Sequence, residues 1–195
     1  MTARLPPLDA DAAASAAASC GVPAALGDLN VFRVLLAHPR LARNLSDLLL
    51  TLLSGDHLDA RLRELAILRV GWVTASVYEW TQHWHLAPGF GVDADDAAAV
   101  RDGPDHPRFG PAERAVLAAT DQTLATGAVS AATWQACRRH VSQDQRALLE
   151  LVGTIGVWRT LSELLRSLEI PLEEDVAPWP PDGRRPDGAS VAQLH

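Results

Sequence analysis

Apolar residues recur along this chain at helical rather than strand spacing. The clearest run follows Pro39, where Leu41, Leu45, Leu48, Leu49 and Leu52 repeat at intervals of three and four up to Gly55, the pattern of one buried helix face. Upstream, residues 30–38 read as a short amphipathic helix that Pro39 both stops and follows with a new first turn. Asp56 or Asp59 can cap the next helix, which carries Leu62, Leu65, Ala66, Ile67, Leu68 and Trp72. Thr74 or Ser76 can cap the one after it, from Val77 to about Ala87, where Pro88-Gly89 ends the pattern. A shorter helix is predicted from Asp93 towards Asp102-Gly103-Pro104, and a loop holding Pro107 and Gly110 leads into a helical stretch from Pro111 to Gly127. Ser130 can cap a helix containing Trp134 and Cys137, and a long final helix runs from about Ser142 to Leu168. No stretch reads as a strand, and no short repeat is present. The prediction is an all-α, single-domain bundle of roughly eight helices over residues 24–174. An N-terminal arm with one Ala-rich helical piece (residues 1–23) precedes it, and a Pro-rich coil tail suited to packing on a neighbouring chain (residues 175–195) follows.

Composition narrows the classes of function. The chain has 195 residues, 48% of them hydrophobic, enough for one sizeable core and too apolar for disorder throughout. The apolar content is mostly Ala and Leu, which favours helix over sheet. With 24 acidic against 17 basic residues and a net charge of −7, it lacks the clustered Lys and Arg that phosphate neutralisation requires, so no nucleic-acid partner is expected. Arg184–Arg185 is a basic pair, but it lies in the Pro-rich tail. Cys20 and Cys137 are far apart and no C-x-x-C occurs, so neither a dithiol redox centre nor a thiolate zinc site can be drawn, and two lone thiols suit a reducing compartment. No apolar run reaches bilayer-spanning length, and the N-terminus lacks the charged-then-apolar order of a secretory signal. A cytoplasmic protein without a membrane partner is expected.

One segment carries chemistry: Arg63-Glu64-Leu65-Ala66-Ile67-Leu68-Arg69, then Ser76-Val77-Tyr78-Glu79-Trp80-Thr81-Gln82-His83. On a helix Ser76, Glu79 and His83 share a face, Tyr78 and Gln82 form the adjacent stripe, and Trp80 and Trp84 make a pair one turn apart. The link over residues 71–75 is short, so an antiparallel pair of helices brings Glu64 towards the Glu79–His83 face. A carboxylate beside an imidazole is a workable acid/base pair, because the carboxylate fixes the tautomer and stabilises the imidazolium. Two Glu near one His tend to separate in acidity, one acting as acid while the other stays ionised. Tyr78 can donate to a developing enolate oxygen, Arg69 can clamp a substrate carboxylate, and Trp72, Trp80 and Trp84 can wall a dry pocket. Glu79 and His83 lie one turn apart but have no evident third metal ligand, and H-E-x-x-H is absent; neither a metal nor a cofactor is expected.

These residues resemble the core helical pair of the carboxymuconolactone decarboxylase / alkylhydroperoxidase-D-like family. In the alkylhydroperoxidase-D-like relatives a Glu is followed by C-x-x-C and then by His four residues after the second Cys. Glu64 falls on the family Glu, Ser76 and Glu79 on the two Cys positions, and His83 on the family His. The resemblance extends to residues 30–39, to Phe109-Gly-Pro-Ala-Glu-Arg-Ala-Val-Leu, to Leu149-Leu-Glu-Leu-Val-Gly-Thr-Ile-Gly-Val-Trp and to Leu168-Glu-Ile-Pro-Leu-Glu-Glu. It implies an all-helical fold of that type and a symmetric homo-oligomer, whether dimer, trimer or hexamer. The missing thiols remove peroxide reduction, because a sulfenic acid needs a neighbouring Cys to resolve it. What remains is cofactor-free acid/base chemistry of the decarboxylase kind on a small oxygenated compound, a carboxylate, lactone or ketone. His83, Glu64, Tyr78 and Glu79 would be its catalytic groups, with Ser76, Arg69, Trp72 and Trp80 lining the substrate.

Two other classes compete with that enzyme: a non-catalytic member that binds a small molecule or serves as a scaffold, and a metal-assisted hydrolase. A closed site with Glu64 ion-paired and His83 buried favours the non-catalytic class, whereas several convergent polar groups in an open pocket favour the enzyme.

Overall fold

The computed structural model describes residues 3–187, and residues 188–195 of the predicted tail lie outside the described residues. All regular elements among the described residues are helical. In chain order they are α1 (Ala10–Cys20), α2 (Ala24–Gly27), α3 (Asn30–Leu35), α4 (Pro39–Leu53), α5 (Ala60–Val73), α6 (Val77–Leu86), α7 (Ala94–Ala99), α8 (Pro111–Thr126), α9 (Ala131–His140) and α10 (Gln145–Ser167). Two short 3-10 turns, Ala87–Phe90 and Val100–Asp102, follow α6 and α7.

The boundaries follow the punctuation in the sequence. Asp59, and not Asp56, accepts from Leu62 N at the start of α5, while Asp93 caps α7 and Ser130 caps α9. Pro39 and Pro111 open α4 and α8 at the first turn, and Gly127 closes α8 in the left-handed conformation. Two caps differ from expectation. His38 takes the N-cap role before Pro39, its Nδ1 accepting from Leu41 N at 3.3 Å. Ser76 occupies the N-cap position of α6, yet its side chain makes no capping bond.

The chain divides into two compact units, one of residues 3–54 with 164–176 and the other of residues 55–163 with 177–187. In the first, Val31, Phe32, Leu35, Leu36, Ala42 and Ile170 are buried. Asn30 ties this unit together, its side chain donating to the carbonyls of Pro171 and Leu172 while its backbone N–H donates to Glu173. Gly21 ends α1 at φ 77°, and the Arg43 guanidinium donates to its carbonyl and to that of Cys20. A Cβ at Gly21 would lie 2.0 Å from Arg43 Nη1, so both the backbone conformation and the arginine require glycine there.

In the second unit α5 packs on α6 and α8, and α8 on α9. Nearly the whole circumference of α5 is buried, including Arg63 and Glu64, which marks it as the central helix of the unit. Gly71 sets the α5–α6 crossing: a Cβ on it would stand 2.9 Å from the backbone nitrogen of Trp80, so the two helices meet backbone to backbone at this point.

Candidate active site

The turn between α5 and α6 fixes the geometry of the site. Ser76 N–H donates to the Gly71 carbonyl at 2.9 Å and Ala75 N–H to that of Trp72 at 3.0 Å, the paired bonds that close a helix with a left-handed residue just beyond its cap. That residue is Ala75, at φ 54°. The reversal makes α5 and α6 antiparallel and brings Glu64 to His83, whose Nδ1 lies 2.8 Å from Glu64 Oε2. Glu64 is fully buried and His83 is 8% exposed. Arg63, itself buried, has its Nε 3.9 Å from Glu64 Oε1, and neither of those two atoms has a hydrogen-bond partner.

The other imidazole nitrogen is also engaged. Trp158 of α10 donates its indole N–H to His83 Nε2 at 3.0 Å. An indole nitrogen only donates, so Nε2 must present a lone pair and the ring proton must sit on Nδ1, directed at Glu64. The three side chains therefore form one ordered chain from indole to imidazole to carboxylate.

One turn back on α6, Glu79 is buried (2% exposed) and contacts Ser162 Oγ through Oε2. Burial pushes the Glu79 carboxyl well above the usual carboxylate range; the neighbouring Ser76 hydroxyl offsets part of this without reaching hydrogen-bond geometry. Thr74 Oγ1 lies 3.0 Å from Ser162 Oγ and 2.7 Å from the Val70 carbonyl. Hydroxyl protons rotate to suit their partners, so a neutral Glu79 can donate to Ser162, Ser162 to Thr74 and Thr74 to the Val70 carbonyl. α6 and α10 thus face each other as an antiparallel ladder, Glu79 with Ser162 and His83 with Trp158, each pair one helical turn from the next. Glu64 Oε1, Glu79 Oε1, Ser76 Oγ and Thr154 Oγ1 are buried without hydrogen-bond partners, an unusual concentration in the segments that build this ladder.

The remaining residues expected at the site divide. Tyr78 is buried on the adjacent stripe of α6. Arg69 turns to Asp121 at 2.6 and 2.9 Å and to the carbonyls of Val100 and Arg101; this commits most of its five donors, shared between α8 and the second 3-10 turn. Trp72 and Trp80 lie on another side of α6, with ring centroids 5.1 Å apart, and Trp84 stands 5.7 Å from Trp80. The tail segment 177–187 fills that side. Trp179 packs edge-on against Trp72 at 5.9 Å, Trp80 Nε1 donates to the Pro180 carbonyl, and Arg101 lies over Trp72 and Trp80 at 4.9 and 5.0 Å while pairing with Asp182 at 2.9 Å. The described part of the tail thus packs on its own unit. Sequence reasoning assigned no role to Trp158 or Ser162. Their signal was present in hindsight: they lie four residues apart on α10 and match the Glu79–His83 spacing on α6.

Among the described residues, no group of three or more His, Cys, Asp or Glu side chains is placed to hold a metal ion, and no helix is long and apolar enough to cross a membrane.

An all-helical bundle with this helical pair is the alkylhydroperoxidase-D-like fold, and solved structures agree. The alkylhydroperoxidase AhpD core protein of Ralstonia eutropha JMP134, an uncharacterised peroxidase-related protein, superposes with a TM-score of 0.70 at 16% identity, covering 90% of this chain and 95% of that one. The debrominase Bmp8, solved with 2,3,4-tribromopyrrole, gives 0.63 at 15% identity over 85% of this chain and 82% of its own. A peroxidase-related protein from Silicibacter sp. TM1040 gives 0.68 at 14% identity, covering 76% and 78% of the two chains. No curated protein matches the chain. Residues 39–122, which include Glu64, Ser76, Tyr78, Glu79 and His83, match the family model of the carboxymuconolactone decarboxylase family. Over these residues the chain is similar to that family, in a form without the C-x-x-C pair.

Proposed function

We propose that this protein is a cofactor-free acid/base enzyme that moves a proton on a small oxygenated compound, a carboxylate, lactone or ketone, by decarboxylation or a related enolate-forming step. The observation that carries this reading is the contrast between two buried glutamates flanking one histidine. Glu64 receives the His83 Nδ1–H at 2.8 Å and has Arg63 behind it, surroundings that suit an ionised base. Glu79, one turn away, has no cation beside it and is driven towards the neutral acid by burial. Carboxyl groups whose surroundings separate them in this way can divide the roles of base and acid between them. The Glu64–His83 pair would take a proton from carbon or oxygen, and Glu79 would return one, leaving an enolate as the intermediate. Ser76 Oγ, buried and unpartnered beside Glu79, would donate to the enolate oxygen. The substitution of Ser76 and Glu79 for the family's two Cys leaves no disulfide-forming pair, which supports proton transfer rather than peroxide reduction.

A second reading, a non-catalytic member that binds a small ligand, is favoured by the burial of Glu64 and His83 at 0% and 8% exposure. One experiment separates the two. Candidate lactones, β-keto acids and ketones are screened for turnover with the full chain, then repeated with Glu64→Gln and His83→Ala. The enzyme reading expects loss of at least about 100-fold in kcat for each variant. Unchanged turnover in both overturns it, and saturable ligand binding without turnover establishes the second reading.

A further inference from the structure

We propose that Trp158 is a positioning residue: its indole N–H locks His83 in the Nδ1–H tautomer, so that the acceptor left open in the indole–imidazole–carboxylate chain is Glu64 Oε1 and not His83 Nε2. This rests on the Glu64–His83 pair as the proton-handling centre and goes further in naming which atom is open to a ligand.

The geometry settles the hydrogen bookkeeping. His83 has two ring nitrogens, and both are in hydrogen bonds: Nε2 with the Trp158 indole at 3.0 Å and Nδ1 with Glu64 Oε2 at 2.8 Å. The indole can only donate and an ionised carboxylate can only accept, so one arrangement of the ring proton satisfies both. In that arrangement neither nitrogen has a free lone pair. Of the five polar atoms in the chain, Glu64 Oε1 alone is without a hydrogen-bond partner, and the unpartnered Arg63 Nε stands 3.9 Å from it. A ligand proton arriving at the site therefore meets carboxylate oxygen first. His83 acts through Glu64, holding its other oxygen and stabilising its charge.

The ring packing reinforces the lock. Trp158 is 1% exposed and its ring lies edge-on to the imidazole, centroids 5.7 Å apart, so the indole has no solvent to turn into. The groups facing His83 are Glu64 with Arg63 behind it from α5, Glu79 one turn away on α6, and Trp158 from α10. Trp158 is the one that donates to Nε2.

The test is nitrogen-resolved NMR of the full chain labelled with 15N-histidine, the His83 signals being assigned by their loss in His83→Gln. The expected spectrum has a protonated Nδ1 and an unprotonated Nε2, with a coupling from Nε2 across the hydrogen bond to the Trp158 indole proton. Trp158→Phe keeps an aromatic ring and removes the donor; Nε2 should then move to the position of an unbonded lone pair. Trp158→Phe that leaves the Nε2 signal unchanged overturns the proposal. If that variant does not fold, the wild-type spectrum decides by itself: a proton on Nε2, or no coupling to the indole, overturns it. Because none of these readouts depends on turnover, unchanged turnover in Glu64→Gln and His83→Ala would remove the enzyme reading while leaving the tautomer lock standing, and the converse holds as well.

Discussion

Tryptophans pack on two sides of α6, and they use the same indole chemistry to opposite ends. On one side Trp72, Trp80 and Trp84 lie against the Arg101 guanidinium and Trp179 packs on Trp72, and polar groups find partners within the cluster or the tail: Trp80 on the Pro180 carbonyl, Arg101 on Asp182 and Pro180, Thr81 Oγ1 on Trp179 N–H. Arg101 Nε is buried there without a hydrogen bond, and the guanidinium it belongs to lies against aromatic faces that favour a cation. On the other side Trp158 serves a histidine, and Glu64 Oε1, Glu79 Oε1 and Ser76 Oγ are left buried and unpartnered. A closed cluster stabilises the fold. A cluster that retains open acceptors and donors at a cost to stability is where a ligand is expected.

The strongest way to break this comparison is to remove Glu64. Glu64→Ala leaves the Nδ1–H of His83 without an acceptor and the buried Arg63 without a counter-charge, and loss of one partner from a buried pair costs about 3–5 kcal/mol. Glu64→Gln, which keeps an acceptor oxygen, should lose clearly less. Urea midpoints of the two variants check the ordering; equal losses would show that the hydrogen bond and the charge contribute nothing separable.

On the closed side the test is Trp179→Ala. Trp179 is 6% exposed against Trp72, and truncating a buried aromatic costs about 3 kcal/mol or somewhat more. The loss should be felt first by the segment it anchors, seen as faster tryptic cleavage after the exposed Arg184. The His83 nitrogen spectrum should not change. If it does, the two sides of α6 are coupled and the contrast between them fails.

A smaller effect is expected from pH. Glu79 has a folded-state pKa raised above the ordinary glutamate value of 4.5 by burial, so between those two values the folded chain binds a proton that the unfolded chain has lost. Stability from this group is complete below the unfolded value and falls as pH rises, by up to about 1.4 kcal/mol per unit, until the folded-state value is passed. Glu79→Gln keeps the shape and cannot ionise. Its denaturation midpoint relative to the wild type should improve steadily from acid towards neutral pH, and a difference that does not vary with pH would show that Glu79 is not held neutral.

Much of the fold was legible because the chain punctuates its helices with residues whose backbone behaviour is strongly biased: Pro39, Pro111, Asp93, Ser130 and Gly127 all stand at the ends they predicted. The α5–α6 half of the site was legible for a related reason. Glu64 and His83 are 19 residues apart, and a short link between two amphipathic helices permits little besides an antiparallel pair. The α10 half was not. Trp158 and Ser162 meet their partners across 75 and 83 residues, and helical periodicity says which face is buried without saying which helix covers it. Arg69 shows the same limit, since its carboxylate partner Asp121 is 52 residues away. Ser76 misled in another way: Ser at an N-cap position ordinarily bonds the first turn, and here its hydroxyl stays buried beside Glu79 instead.

The last prediction concerns the turn that sets both sides of α6 at once. Ala75 holds φ 54° with a side chain that is half-buried, in the position where helices most often place glycine. A Cβ in the left-handed region costs about 1–2 kcal/mol, while a glycine gives back about 0.5–1 kcal/mol through the greater freedom of the unfolded chain. Ala75→Gly should therefore stabilise the protein by about 0.5–1 kcal/mol, read as a higher urea midpoint. Because the turn positions the whole of α6, the gain should leave both the tryptic cleavage of the tail and the His83 spectrum as they are in the wild type. A loss of stability would mean that the Ala75 methyl contributes more by packing than its backbone conformation costs, and that the register of α6 depends on it.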